Sequence, residues 1–176
     1  MPKSFILATA AVAIASCLFA SNAKAGLTTG IYANATSSCQ SSLPVYDANV
    51  RKSPLAVSNV GDKNVFVTCS FESILFLRDA SPNPIFEVEM YVTNHSGADV
   101  DLTCTLVDGY EFDAAYYPQT LTLRASAQYS MAFSGNLSPD GAFSGPVSVN
   151  CLLPAGVSLN DHYVYVTTPD APPAAR

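Results

Sequence analysis

Tryptophan is missing from all 176 residues, and only 12% of the chain is Asp, Glu, Lys or Arg. The first absence argues against a true immunoglobulin domain, whose core normally carries a tryptophan, and it removes the broadest side chain on which a sugar ring could stack. Basic residues are the scarcer charge, with eight Lys and Arg against 14 Asp and Glu. Phosphate backbones are held by clustered Lys and Arg, and the one adjacent pair, Arg51-Lys52, stands next to a turn, so nucleic acid is not an expected partner. There are two histidines. His95 falls in the turn Asn94-His95-Ser96-Gly97 and His162 opens a strand pattern beside Asp161; both are read as solvated positions, and no Gly-x-Ser-x-Gly elbow presents a serine nucleophile. No apolar run reaches the roughly 20 residues of a membrane-spanning helix, and helical periodicity is nearly absent.

The longest apolar run, Phe5 to Ala20, covers 16 residues, with Lys3 before it and Ala23-Lys24-Ala25 behind. This predicts a signal peptide over residues 1–25, cut after Ala25, and a protein secreted or delivered to the periplasm. Ile14-Ala15-Ser16-Cys17 permits an alternative, a lipoprotein anchored at Cys17. The leader takes Lys3 and Lys24 with it, leaving six basic residues against 14 acidic and hence a net charge of -8. Such a charge favours solubility and disfavours anionic surfaces.

Four cysteines remain: Cys39, Cys69, Cys104 and Cys151. An even number in a chain bound for an oxidising compartment, without zinc-type spacing, predicts two disulfides and no metal. Three pairings are possible. The sequential one, Cys39 with Cys69 and Cys104 with Cys151, is preferred because it joins neighbouring segments by loops of comparable length.

Period-two alternation runs through Asn64 to Phe71, Ile85 to Thr93, Asp99 to Val107, Tyr110 to Tyr116, Thr120 to Arg124, Gln128 to Phe133, Pro146 to Leu152 and His162 to Thr167, with weaker strands near Val45 and Leu55. In Ile85 to Thr93 the inward set is Phe86, Val88, Met90 and Val92. Turn signals such as Asp108-Gly109 and Ser138-Pro139-Asp140-Gly141 separate the runs and point to hairpins. About ten short strands predict an all-β fold, an antiparallel β-sandwich of jelly-roll or immunoglobulin-like topology, over residues 39–168. Residues 26–38 are small and polar, and residues 169–176 are Pro/Ala-rich; a flexible N-terminal segment and a disordered tail are expected.

Cys39-Gln40, Val67-Thr68-Cys69, Val88 to Val92 with Asn94 and Ser96, Cys104-Thr105-Leu106 and Cys151-Leu152-Leu153-Pro154 together resemble a group of uncharacterised exported four-cysteine bacterial proteins. Ser70 stands where several of those proteins carry proline after the second cysteine. The resemblance implies the fold and export, and no chemistry.

Three constellations remain as candidate sites. Glu87 and Glu89 alternate onto one face of a strand, about 7 Å apart along it, which would suit a glycosidase. Asp99, Asp101, Asp108, Glu111 and Asp113 offer oxygen ligands in a spacing that matches no standard calcium loop. Nine tyrosines include Tyr110, Tyr116, Tyr117, Tyr163 and Tyr165, the candidate binding surface. Asn34, Asn94 and Asn136 each begin a glycosylation sequon. The sequence is therefore read as a non-enzymatic protein without cofactor that recognises glycan, an envelope component or protein. The alternatives are a small hydrolase using Glu87 and Glu89, and a pilin-like assembly subunit.

Overall fold

The computed structural model describes residues 27–71 and 84–168. The leader, Cys17 and the tail 169–176 lie outside them. Eleven strands run in chain order: β1 (Leu27–Asn34), β2 (Cys39–Ser41), β3 (Val50–Ser53), β4 (Ala56–Asn59), β5 (Val65–Ser70), β6 (Ile85–Asn94), β7 (Val100–Asp108), β8 (Ala115–Leu123), β9 (Gln128–Ser134), β10 (Val147–Leu153) and β11 (Val157–Thr168). They form two antiparallel sheets. One is ordered β3-β4-β11-β6-β9, with β1 also paired to β11; the other is ordered β2-β5-β10-β7-β8. The protein is an all-β sandwich.

Alternation explains why the sheets face each other. Val65, Val67 and Cys69 of β5, Leu102, Cys104 and Leu106 of β7, and Val147, Val149, Cys151 and Leu153 of β10 all point inward and are buried. A strand with one apolar face must cover it with a second layer. The chain does so by crossing between sheets: among the described residues only β3–β4 and β7–β8 are sequential hairpins within one sheet. Most of the turns expected to close hairpins are instead arches over the rim, as in a jelly roll.

Both disulfides form with the sequential pairing, Cys39 to Cys69 and Cys104 to Cys151. Each joins directly opposed residues of neighbouring strands in the five-stranded sheet, and all four sulfurs lie in the core.

Several expectations are corrected. Residues 27–34, expected to be flexible, form β1 along the edge of β11, followed by a one-turn helix, α1 (Ala35–Ser38), capped by the Asn34 side chain. Backbone pairing along β11 orders the strand, with Ile31 packed against the core and the Tyr32 ring against Tyr163. The region near Val45 is a 3-10 helix, Pro44–Asn49, with proline at its start, not a strand; the strand expected near Leu55 is present as the hairpin β3–β4, with Leu55 in its turn. Tyr110 to Tyr116 is mostly a turn, and the strand begins at Ala115 and runs through Pro118, which an edge strand tolerates.

Two register shifts between β6 and β11 change which side chains face inward. The first leaves Leu159 opposite Val92 but His162 opposite Met90, one extra residue on β11. Such a bulge inverts the alternation beyond it. His162 is therefore buried, not solvated, with the Phe71 ring edge-on at 4.7 Å. Its Nδ1 stands 3.4 Å from the Ser38 hydroxyl. Burial lowers its pKa from 6.5 to about 4, against a small opposing effect of Asp161. The second shift puts one extra residue on β6 and turns Phe86 out to solvent, leaving Ile85 in the core.

At the rim, buried Asn94 donates through its amide to the carbonyls of Ala98, Leu123 and Arg124, and its Oδ1 accepts from the Ser96 N–H and hydroxyl. Asn59 clasps the end of β4 in the same way, donating to Lys63 and Leu153 and accepting from Gly61. Gly156, at φ +74°, joins the two clasps: its N–H donates to Asn59 and its carbonyl accepts from His95. The Asn94-His95-Ser96 sequon is thus a buried structural clasp.

Candidate functional site

The bulge that sends His162 inward sends Tyr163 and Tyr165 outward. On the outer face of the six-stranded sheet Tyr163 lies opposite Tyr32 of β1 on one side and Glu89 of β6 on the other. Tyr165 lies between Gly30 and Glu87. Tyr91 follows Glu89 on the same face, and β9 adds the small residues Ser130, Ala132 and Ser134 opposite Tyr91, Glu89 and Glu87.

Tyr163 is the centre of an aromatic cluster. Its ring centroid is 4.9 Å from Tyr32, 5.7 Å from Tyr91 and 6.2 Å from Tyr165, the last nearly parallel at 14°. Separations of this size favour tilted and offset contacts. Gly30 permits part of this arrangement: a Cβ there would stand 3.2 Å from Cε1 of Tyr165, so the ring lies across bare backbone. Tyr32 is 55% exposed, and Tyr91, Tyr163 and Tyr165 are each half-buried by their neighbours.

Carboxylates are interleaved with the rings. Asp161 accepts from the Asn34 amide at 3.1 Å. Hydrogen bonding to Asp161 raises the pKa of the Tyr32 phenol, with partial desolvation adding to it. Desolvation and then Glu89 raise that of Tyr91; desolvation and then Glu89 and Glu87 raise that of Tyr165. These phenols therefore remain neutral hydrogen-bond donors. No Lys or Arg occurs in β1, β6, β9 or β11, so every formal charge that these strands place on the face is negative.

The five tyrosines singled out in the sequence do not share one surface. Tyr163 and Tyr165 lie on the six-stranded face. Tyr110 and Tyr116, exposed at 70% and 65%, belong to the β7–β8 region of the other sheet, and Tyr117 packs on Phe143 at 5.4 Å. Tyr32 and Tyr91 complete the cluster and escaped the sequence reading. Tyr91 continues the Glu87-Glu89 alternation and was legible; Tyr32 sits in the segment expected to be flexible.

The acidic run disperses. Asp99 accepts from the Ala125 N–H at 2.9 Å, Asp101 from the Thr122 hydroxyl at 2.7 Å, and buried Asp108 from the Gly145 N–H at 2.8 Å. Among the described residues no group of three or more His, Cys, Asp or Glu could hold a metal ion, and no helix is long and apolar enough to cross a membrane.

No known protein family matches the chain, and no curated protein does. Among solved structures, the C-terminal carbohydrate-binding module of a laminarinase from Zobellia galactanivorans is 10% identical, with a TM-score of 0.42 over 80% of this chain and 100% of that one. A carbohydrate-binding module of a Cellvibrio mixtus lichenase, in complex with cellotriose, is 13% identical, with a TM-score of 0.41 over 78% and 98%. The coat protein of Tobacco streak virus is 16% identical, with a TM-score of 0.37 over 83% and 90%.

Proposed function

We propose that this is an exported, non-catalytic binding protein that recognises glycan through the outer face of its six-stranded sheet. One observation carries the reading: Tyr32, Tyr91, Tyr163 and Tyr165 form one open cluster interleaved with Glu87, Glu89 and Asp161. Tyrosine rings offer apolar faces to the C–H side of a pyranose, and carboxylates accept from its hydroxyls. Holding those groups on a sheet lowers the ordering entropy that binding would otherwise cost. The two disulfides fit an oxidising compartment.

Hydrolysis by Glu87 and Glu89 has less support. A glycosidase acid is usually poised by an enclosing apolar site, and these glutamates lie side by side on an open face. The edges of the two sheets, at β3, β9, β2, β8 and the outer side of β1, carry no feature that favours an assembly role.

Oxidised protein, residues 26–176, is expected to unfold at a higher temperature in the presence of one or more members of a polysaccharide panel. Tyr163→Ala should abolish that rise with the fold intact by circular dichroism. A panel that leaves the midpoint unmoved, or a rise that survives Tyr163→Ala, overturns the reading. Release of reducing sugar that Glu87→Gln with Glu89→Gln removes would replace it with catalysis.

A further inference from the structure

We infer that the glycan recognised by this face is cationic, an oligosaccharide or polymer of amino sugars whose nitrogens are free and protonated. The inference rests on the reading of the face as a glycan platform and adds the charge of its ligand. Its basis is the juxtaposition of four tyrosine rings with Glu87, Glu89 and Asp161 on strands that contain no Lys or Arg. A neutral sugar would use the carboxylates only as hydrogen-bond acceptors. A uronate or sulfated sugar would meet like charges. A protonated amine instead forms charge-assisted hydrogen bonds with a carboxylate and is attracted to the face of a phenol ring.

The geometry provides both partners together. Glu89 is directly opposite Tyr163, and Glu87 directly opposite Tyr165. On the other side of Tyr163 stands Tyr32, and the Asp161 carboxylate is near enough to raise the pKa of its phenol. An amine above the Tyr163 ring would thus lie among carboxylates on β6 and β11. The Tyr165 hydroxyl, whose pKa is raised by desolvation and then by Glu89 and Glu87, can donate to ring and hydroxyl oxygens of the same sugar.

Cationic peptides carry the same charge but fit the face less well. Extended peptides gain affinity from main-chain hydrogen bonds to a free strand edge; the backbone of β11 beneath Tyr163 and Tyr165 is paired on both sides, to β1 and β6, and the free edges, on β1 and β9, flank the rings instead of underlying them. Only side chains are available there. A glycan, with hydroxyls on every ring, can satisfy itself on such a surface.

The test is calorimetric titration of oxidised protein, residues 26–176, at a mildly acidic pH that keeps free amines protonated. The probes are β-1,4-linked hexamers of glucosamine, N-acetylglucosamine and glucose, with oligogalacturonate and oligolysine. The glucosamine hexamer is expected to bind roughly tenfold or more tighter than the other two hexamers, and to weaken as salt is added. Glu87→Gln with Glu89→Gln should remove about that advantage, with an unchanged unfolding midpoint as the control for folding. Oligogalacturonate should bind most weakly. Equal affinity for the three hexamers overturns the charge inference and leaves the glycan platform standing. Binding of none of the sugars overturns both, and glutamate-dependent binding of oligolysine alone would reassign the face to a basic protein.

Discussion

The two sheets of this sandwich bury the same kind of side chain and differ in what they turn outward. On the five-stranded sheet the outer hydroxyls pair with one another across strands: Thr103 with Thr120 at 2.9 Å, Thr122 with Asp101 at 2.7 Å, and Ser42 with Thr68 at 2.7 Å. Those groups find partners on their own face, although the buried Asn150 Oδ1 on β10 of the same sheet has no hydrogen-bond partner among the described residues. On the six-stranded sheet the outer positions hold tyrosine rings and carboxylates, and no cystine reinforces them. The same architecture thus places its covalent reinforcement in one sheet and its cluster of tyrosine rings and carboxylates on the other. Two faces with equal alternation in sequence can have unlike roles, and the distinction lies in what stands opposite each residue.

That division can be broken most severely at the cystines. Replacing Cys104 and Cys151 together by serine should lower the unfolding free energy by roughly 4 kcal/mol, and the corresponding change at Cys39 and Cys69, which closes the shorter loop, by slightly less. The separations are 47 and 30 residues. Denaturant titration of oxidised and mutant proteins checks both. Glycan binding by variants that remain folded should be retained, since the platform belongs to the other sheet; its loss would show that the sheets do not divide the work.

A smaller effect is expected from acid. The folded pKa of His162 is depressed from 6.5 to about 4, so the unfolded chain binds a proton that the folded chain excludes between those values. Stability from this residue is fully present above about pH 6.5, falls as the pH drops towards 4, and is constant below. The loss is on the order of 3 kcal/mol. Unfolding free energies measured across that range should slope accordingly, and the slope should flatten in His162→Leu. An unchanged slope would mean that the unstapled sheet is not acid-sensitive at its bulge.

The smallest effect sharpens the contrast. Thr120→Val on the five-stranded sheet should change stability by no more than about 0.5 kcal/mol and leave glycan titrations unaltered. A measurable loss of binding would extend the recognition surface to the wrong side of the sandwich.

The architecture was legible where alternation is strict. β5, β7, β9 and β10 match the sequence reading to within a residue or so at each end, because inward apolar residues, Val, Leu and Cys in β5, β7 and β10 and Met131 and Phe133 in β9, alternate there with mostly polar or small outward ones. The sequential disulfides were legible from spacing. Alternation fails at bulges, where one added residue exchanges the faces; hence Phe86 was read as inward. His162 shares the inward face of Val164 and Val166 and was legible there, but was read as a loop residue because it opens the strand pattern beside Asp161. The platform was half legible. Tyr163, Tyr165, Glu87 and Glu89 are readable within their own strands, but their convergence depends on the pairing of β6 with β11. Tyr32 depends on an edge strand that owes its order to a neighbour remote in sequence.

The placement of each cystine between cysteines that follow one another in the chain has a kinetic consequence. In a chain that meets oxidant from its N-terminus onward, Cys69 is the next thiol to reach Cys39, and that bond can close before Cys104 emerges. Cys151 then arrives to a single waiting thiol. Native pairing is thus the order of arrival, and maturation can proceed without the seconds-to-hours reshuffling that interleaved disulfides impose.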